Sequence, residues 1–164
     1  MGRIGVAFIA FLLLSFASAS AAEFPTRKAG LWEITIVGDH PIKVRQCSDA
    51  ASDEAMEQAG IGFPGECAKR DVEKSGNTIT VVSVCTSARK TTVSHMVITG
   101  SLDSTYTMTM STQESGRSAG PSMTLSGKWL GPCAADQKPG DVMLPNGAKF
   151  NILKLPKGVD AAAR

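Results

Sequence analysis

Four cysteines carry the clearest chemistry in the chain: Cys47, Cys67, Cys85 and Cys133, at spacings of 20, 18 and 48. No Cys-x-x-Cys pair occurs, so a thioredoxin-like redox site or a zinc knuckle lacks its ligand spacing. In an exported chain an even count reads as disulfides, and four cysteines allow three pairings. A second candidate is "GRSAG", Gly116 to Gly120, which matches the Gly-x-Ser-x-Gly pattern of serine hydrolases. That pattern works as a strained turn from a strand into a helix. Here Pro121 and another strand-like run follow, so Ser118 reads as part of a polar loop. His40 and His95 are the two histidines. His95 stands beside Ser94 in a strand-like run, where neighbours point to opposite faces, so the two form no nucleophile–base pair. Met96, Met108, Met110 and Met123 raise a softer chemistry, because thioethers with a histidine bind Cu(I). They also fall where the core face of a strand belongs, and methionine is ordinary core filler. No acidic pair marks a glycosidase. The expectation is a non-enzymatic protein with no cofactor and no metal site.

The N-terminus places this chemistry in a compartment. Arg3 precedes an apolar run, Ile4 to Phe16, and the small residues "ASASAA" follow. This is the pattern of an export signal cleaved near Ala22. The run is well short of the roughly 20 residues that span a bilayer. Residues 1–22 are therefore expected to be a signal peptide, 23–155 a disulfide-stapled β domain, and 156–164 a flexible tail. Export leads to the periplasm or the medium, where thiols oxidise. The whole chain has 17 Lys and Arg against 15 Asp and Glu, and no basic run. That balance excludes an electrostatic nucleic-acid footprint.

The elements that must position these residues are mostly strands. "GLWEITIV" alternates Trp32, Ile34 and Ile36 with Leu31, Glu33, Thr35 and Val37. "IKVRQC" reads as a short strand, at an edge of the sheet. "SDAASDEAMEQAG" is the one convincing helix, capped by Ser48 or Ser52 and stopped by Gly60. From Cys67 to Trp129 strand follows strand. Tyr106, Met108 and Met110 share one face of their run; Met123, Leu125 and Trp129 share one face of theirs. A terminal hairpin can turn at Asn146-Gly147. The fold expected is mainly β: a curved antiparallel meander or partly closed barrel of about seven strands with one short helix.

The stretch from Cys67 to Cys85 reads as a hairpin, and its register decides the sulfur chemistry. Antiparallel partners share a constant index sum. A three-residue loop, Ser75 to Asn77, pairs Lys74 with Thr78 and sets Cys67 opposite Cys85, within bridging distance. A two-residue Gly76-Asn77 turn instead sets Val72 opposite Val81. It separates the cysteines onto opposite faces unless a bulge intervenes. The favoured pairing is Cys67–Cys85 with Cys47–Cys133. Its competitor is Cys47–Cys67 with Cys85–Cys133, which would bracket the helix. On the loop-entropy account the favoured bridges contribute about 3 and somewhat over 4 kcal/mol.

Together, "RKAGLWEITI" (Arg27 to Ile36), the strand-ending Cys47, Cys67 ahead of "SGNTITVVSVC", and "SGKWLGPC" (Ser126 to Cys133) resemble domain-of-unknown-function family 3617. The resemblance implies an envelope location and disulfides, and it carries no catalytic residue. The functional expectation is a periplasmic β domain that binds a small apolar ligand or an envelope partner. Trp32, Tyr106, Met108, Met110, Met123 and Trp129 would line such a groove or fill the core.

Overall fold

The structure is a computed structural model, and it describes residues 24–58, 66–87, 90–118 and 120–155. Alternation builds nine strands from these segments: β1 (Gly30–Val37), β2 (Ile42–Ser48), β3 (Glu66–Ser75), β4 (Thr78–Ser87), β5 (Lys90–Ser101), β6 (Thr105–Glu114), β7 (Met123–Gly131), β8 (Asp141–Met143) and β9 (Lys149–Asn151). The seven long strands are those expected. β8 and β9 are the hairpin expected at Asn146-Gly147. All nine form one antiparallel sheet in the order β3-β4-β5-β6-β7-β1-β2-β8-β9, with β3 at one free edge. β2 is therefore internal, not an edge strand: β8 covers the side that β1 leaves open.

The one α-helix, α1 (Ala50–Gln58), follows β2. Its cap is Asp49 rather than Ser48 or Ser52. Asp49 Oδ1 accepts from the Ser52 amide while Ser52 Oγ accepts from the Asp49 amide, a reciprocal pair that satisfies two otherwise orphaned donors. The stop expected at Gly60 lies outside the described residues.

α1 also shows how far the sheet curls. β2 and β3 are six strands apart in the sheet order, about 29 Å if it were flat. Yet Met56 Sδ accepts from Gln46 Nε2 on β2, and the next residue, Glu57, pairs with Arg70 on β3. The helix thus lies across the gap between two bent-round strands. The sheet remains unclosed, because β2 and β3 share no ladder.

The β3–β4 hairpin combines features of both sequence registers. The turn is the two-residue Gly76-Asn77 form, with Ser75 opposite Thr78 and Val72 opposite Val81, not the three-residue loop. A bulge between Cys67 and Lys69 then inserts one residue and returns Cys67 opposite Cys85. The cost of the bulge is local; it keeps both the valine pair and the sulfurs on the core face. Of the three pairings open to the sequence, the structure has Cys67–Cys85 and Cys47–Cys133, the latter with a Cα separation of 5.5 Å.

Candidate functional site

Register assigns each side chain to a face. The concave face carries Trp32, Ile34, Val81, Cys85, Met96, Ile98 and Tyr106, which form the buried core. The other face is rich in Thr and Ser, with Thr35, Ser126, Thr107, Thr99 and Thr78 side by side across five strands.

One end of the concave face is closed, and the "RKAGLWE" segment closes it. Trp32 is 0% exposed, tilts against Tyr106 at 5.5 Å between ring centres, and donates from Nε1 to the Lys28 carbonyl at 2.8 Å. Tyr106 in turn lies flat over Gly127, where an added Cβ would stand 2.3 Å from the ring. Only glycine leaves that space in mid-strand. Gly30, at φ +139°, does the same for Trp129, whose indole Nε1 would be 2.4 Å from a Cβ there. Lys28 Nζ sits 3.8 Å above the Trp129 ring centre, a cation–π contact.

Beneath these rings lies a buried polar knot. The Arg27 and Asp53 side chains are 9% and 8% exposed and form an ion pair. Arg27 Nη2 also donates to Gln46 Oε1 at 3.2 Å and Ser48 Oγ at 2.8 Å. Ser48 Oγ donates to Asp53 Oδ1 at 2.6 Å, and the Arg27 amide donates to Asp53 Oδ2 at 3.0 Å. Burial is the largest influence on the guanidinium and works to lower its pKa. The hydrogen bond to Asp53, the neighbouring Tyr106 and the Asp53 charge outweigh it and hold the pKa above the ordinary value. Tyr106 is likewise pushed up, by burial first, against the opposing pull of Arg27. Every contact here is mutual and internal, so this is a lock rather than a reacting centre. The sequence reading missed Arg27 and Asp53. An arginine just ahead of an apolar strand and an aspartate in the first turn of a small-residue helix were the available signal.

The other end is open. A row crosses the sheet from β2 to β4: Ile42, Ile36, Leu125, Met108, Ile98 and Ile79. The next row runs Met123, Met110, Met96, Val81 and Val72. Both rows are buried at β5, the second at β4 as well, and they emerge toward β2 and β7. Ile98 and Met96 are 3% exposed, whereas Ile42 is 49% and Met123 40% exposed. Ile36, Leu125, Met108 and Met110 lie between, half-buried. The structure therefore brings the six expected groove residues onto one face and divides them. Trp32 and Tyr106 fill the closed core, Trp129 is half-buried at its margin, and Met108, Met110 and Met123 belong to the open strip.

The other sequence candidates stand apart from it. Ser118 is exposed in the link between β6 and β7, and the element after it is a strand rather than the helix a nucleophile elbow requires. His95 is exposed on the Thr-rich face, opposite the side that carries Met96, Met108 and Met110. Among the described residues no three His, Cys, Asp or Glu side chains converge as a metal site, and no helix is long and apolar enough to cross a membrane.

Fold and site together define a disulfide-stapled, mainly antiparallel β protein with one apolar concave face. The match to a family model is more particular. The chain belongs to DUF3617, a protein family of unknown function, whose model matches residues 27–133. That match begins at the buried Arg27 and ends at the bridged Cys133, so β8 and β9 lie beyond it. No curated protein and no solved structure matches the chain.

Proposed function

We propose that this is an exported, non-enzymatic envelope protein that holds a small apolar ligand along the open strip of its concave face. The observation that carries the reading is the unequal burial of two continuous apolar rows, from 3% at Met96 and Ile98 to 40% and 49% at Met123 and Ile42. Contiguous exposed apolar surface marks a binding region. Three of the strip's side chains are methionines, which adapt to irregular apolar partners. Two disulfides and a signal-like N-terminus suit an oxidising compartment. The test is purification from the periplasm under native conditions, with mass spectrometry of the intact protein and titration with an environment-sensitive apolar dye. Co-purified lipid or saturable dye binding, weakened by Met110→Glu, is the expected result. Absence of both refutes the reading.

A further inference from the structure

Next along the strands from the methionine row is a third row of different character: Arg70 on β3, Ser83 on β4, Ser94 on β5 and Thr112 on β6. Ser83 and Ser94 stand directly opposite each other, both 0% exposed, on the concave face between Val81 and Cys85 on one strand and beside Met96 on the other. Among the described residues neither hydroxyl has a hydrogen-bond partner. A buried polar group without a partner costs about what a lost hydrogen bond does, and native structures contain few of them. Alanine at either position would carry no such cost. Two orphaned hydroxyls side by side, at the inner end of an apolar groove, mark a place where a ligand's polar atom would complete the bonding.

The surroundings decide which kind of polar atom. Arg70 is already engaged by Glu57, so the row adds no net charge. An ionised head would be desolvated there without a counter-charge, which is strongly unfavourable. A serine hydroxyl can donate or accept, so an uncharged hydroxyl or carbonyl suits the pair. Met96 and Met110, paired across β5 and β6, separate the serines from the exposed end of the strip. Their unbranched side chains can swing aside to admit an alkyl chain. From Ile36 on β1 to Ser94 on β5 is three strand steps across the sheet and four residues along the strand, a diagonal of about 20 Å on a flat sheet, a span that a long extended alkyl chain covers.

We infer that the ligand is a neutral single-chain amphiphile, with its tail along Ile36, Leu125, Met108 and Met110 and its uncharged head hydrogen-bonded by Ser83 and Ser94. This rests on the apolar-groove reading and adds the class of ligand to it. The experiment is displacement of a groove-bound apolar dye from the full exported chain by hexadecanol, hexadecane and hexadecanoate. Hexadecanol is expected to displace the dye at about tenfold lower concentration than the other two, the ratio one or two buried hydrogen bonds give. In S83A/S94A that preference disappears, hexadecane binds as before, and the melting temperature stays level or rises. Equal displacement by hexadecanol and hexadecane in the unaltered protein overturns the head-group assignment and leaves the groove standing. So does a preference that survives in S83A/S94A. Tightest binding by hexadecanoate overturns the neutral head. Failure of every probe, dye included, removes groove and head together. The comparison of ligands on the unaltered protein decides the matter even if S83A/S94A does not fold.

Discussion

The two ends of the concave face use the same strands and differ in what finishes them. At the closed end, Trp32, Tyr106 and the Arg27–Asp53 pair are covered by the chain's own N-terminal segment and by α1. Each polar atom named there has an internal partner. At the open end, Met123, Leu125 and Ile42 continue the same apolar rows into solvent. The contrast separates burial that stabilises the fold from burial left for another molecule to complete.

Substitutions sharpen the contrast most at the closed end. Asp53→Ala leaves a buried guanidinium without its counter-charge and should cost about 3–5 kcal/mol in urea unfolding. The double variant Arg27→Met/Asp53→Leu should lose less than Asp53→Ala, since no charge is stranded. If Asp53→Ala is silent, the lock is not what holds that end. Next comes Gly127→Ala, which drives a methyl into the Tyr106 ring and should cost about 1–3 kcal/mol. Most of that cost should vanish in a Tyr106→Ala background, where a thermal-melt double-mutant cycle reads it. Met123→Ser, at the open end, should move stability by less than about 0.5 kcal/mol while reducing dye binding. A large loss of stability there would make the strip part of the core.

The smallest effect expected is a titration on β8. Asp141 on β8 accepts from the Lys138 amide at 2.9 Å, from Asn151 Nδ2 at 2.8 Å, and from Lys149 Nζ at 3.0 Å. These contacts, the backbone one first and against the pull of burial, hold its carboxyl down at about 2. The folded value lies below the unfolded one of about 3.9. The stabilisation is therefore complete above about pH 4 and fades as pH falls through about 2. Hydrogen exchange at β8 and β9 should rise over that window in the unaltered protein. In Asp141→Asn this pH-dependent increment should be missing.

Much of the fold was legible because strand alternation is a local signal. β1 and β6 follow runs of period two, and the shared face of Tyr106, Met108 and Met110 follows from spacing alone. Features that depend on two distant segments were not legible. The bulge beside Cys67 reconciles a valine pair with a sulfur pair, and neither alone requires it. Arg27 and Asp53 meet across 26 residues, so no window contains their partnership. α1 is capped by Asp49 because Ser48 is drawn into that same knot. Of the site, the common face of the six groove residues was readable. Which of them solvent reaches was not, since that depends on where the N-terminal segment and α1 come to rest. Ser83 left a trace in the sequence: in "TITVVSVC" it takes the phase of Ile79, Val81 and Cys85, a polar residue in a core position.

The free edge at β3 has a bearing on how the protein coexists with its own copies. A ten-residue strand at the edge of a sheet is a template onto which a second chain can add. Here that rim carries Lys69, Arg70, Asp71, Glu73 and Lys74, and the irregularity beside Cys67 bends its start out of line. An approaching backbone would have to strip water from charges of both signs and match a ladder with a step in it. Lateral growth into fibrils is thereby discouraged at this margin of the sheet.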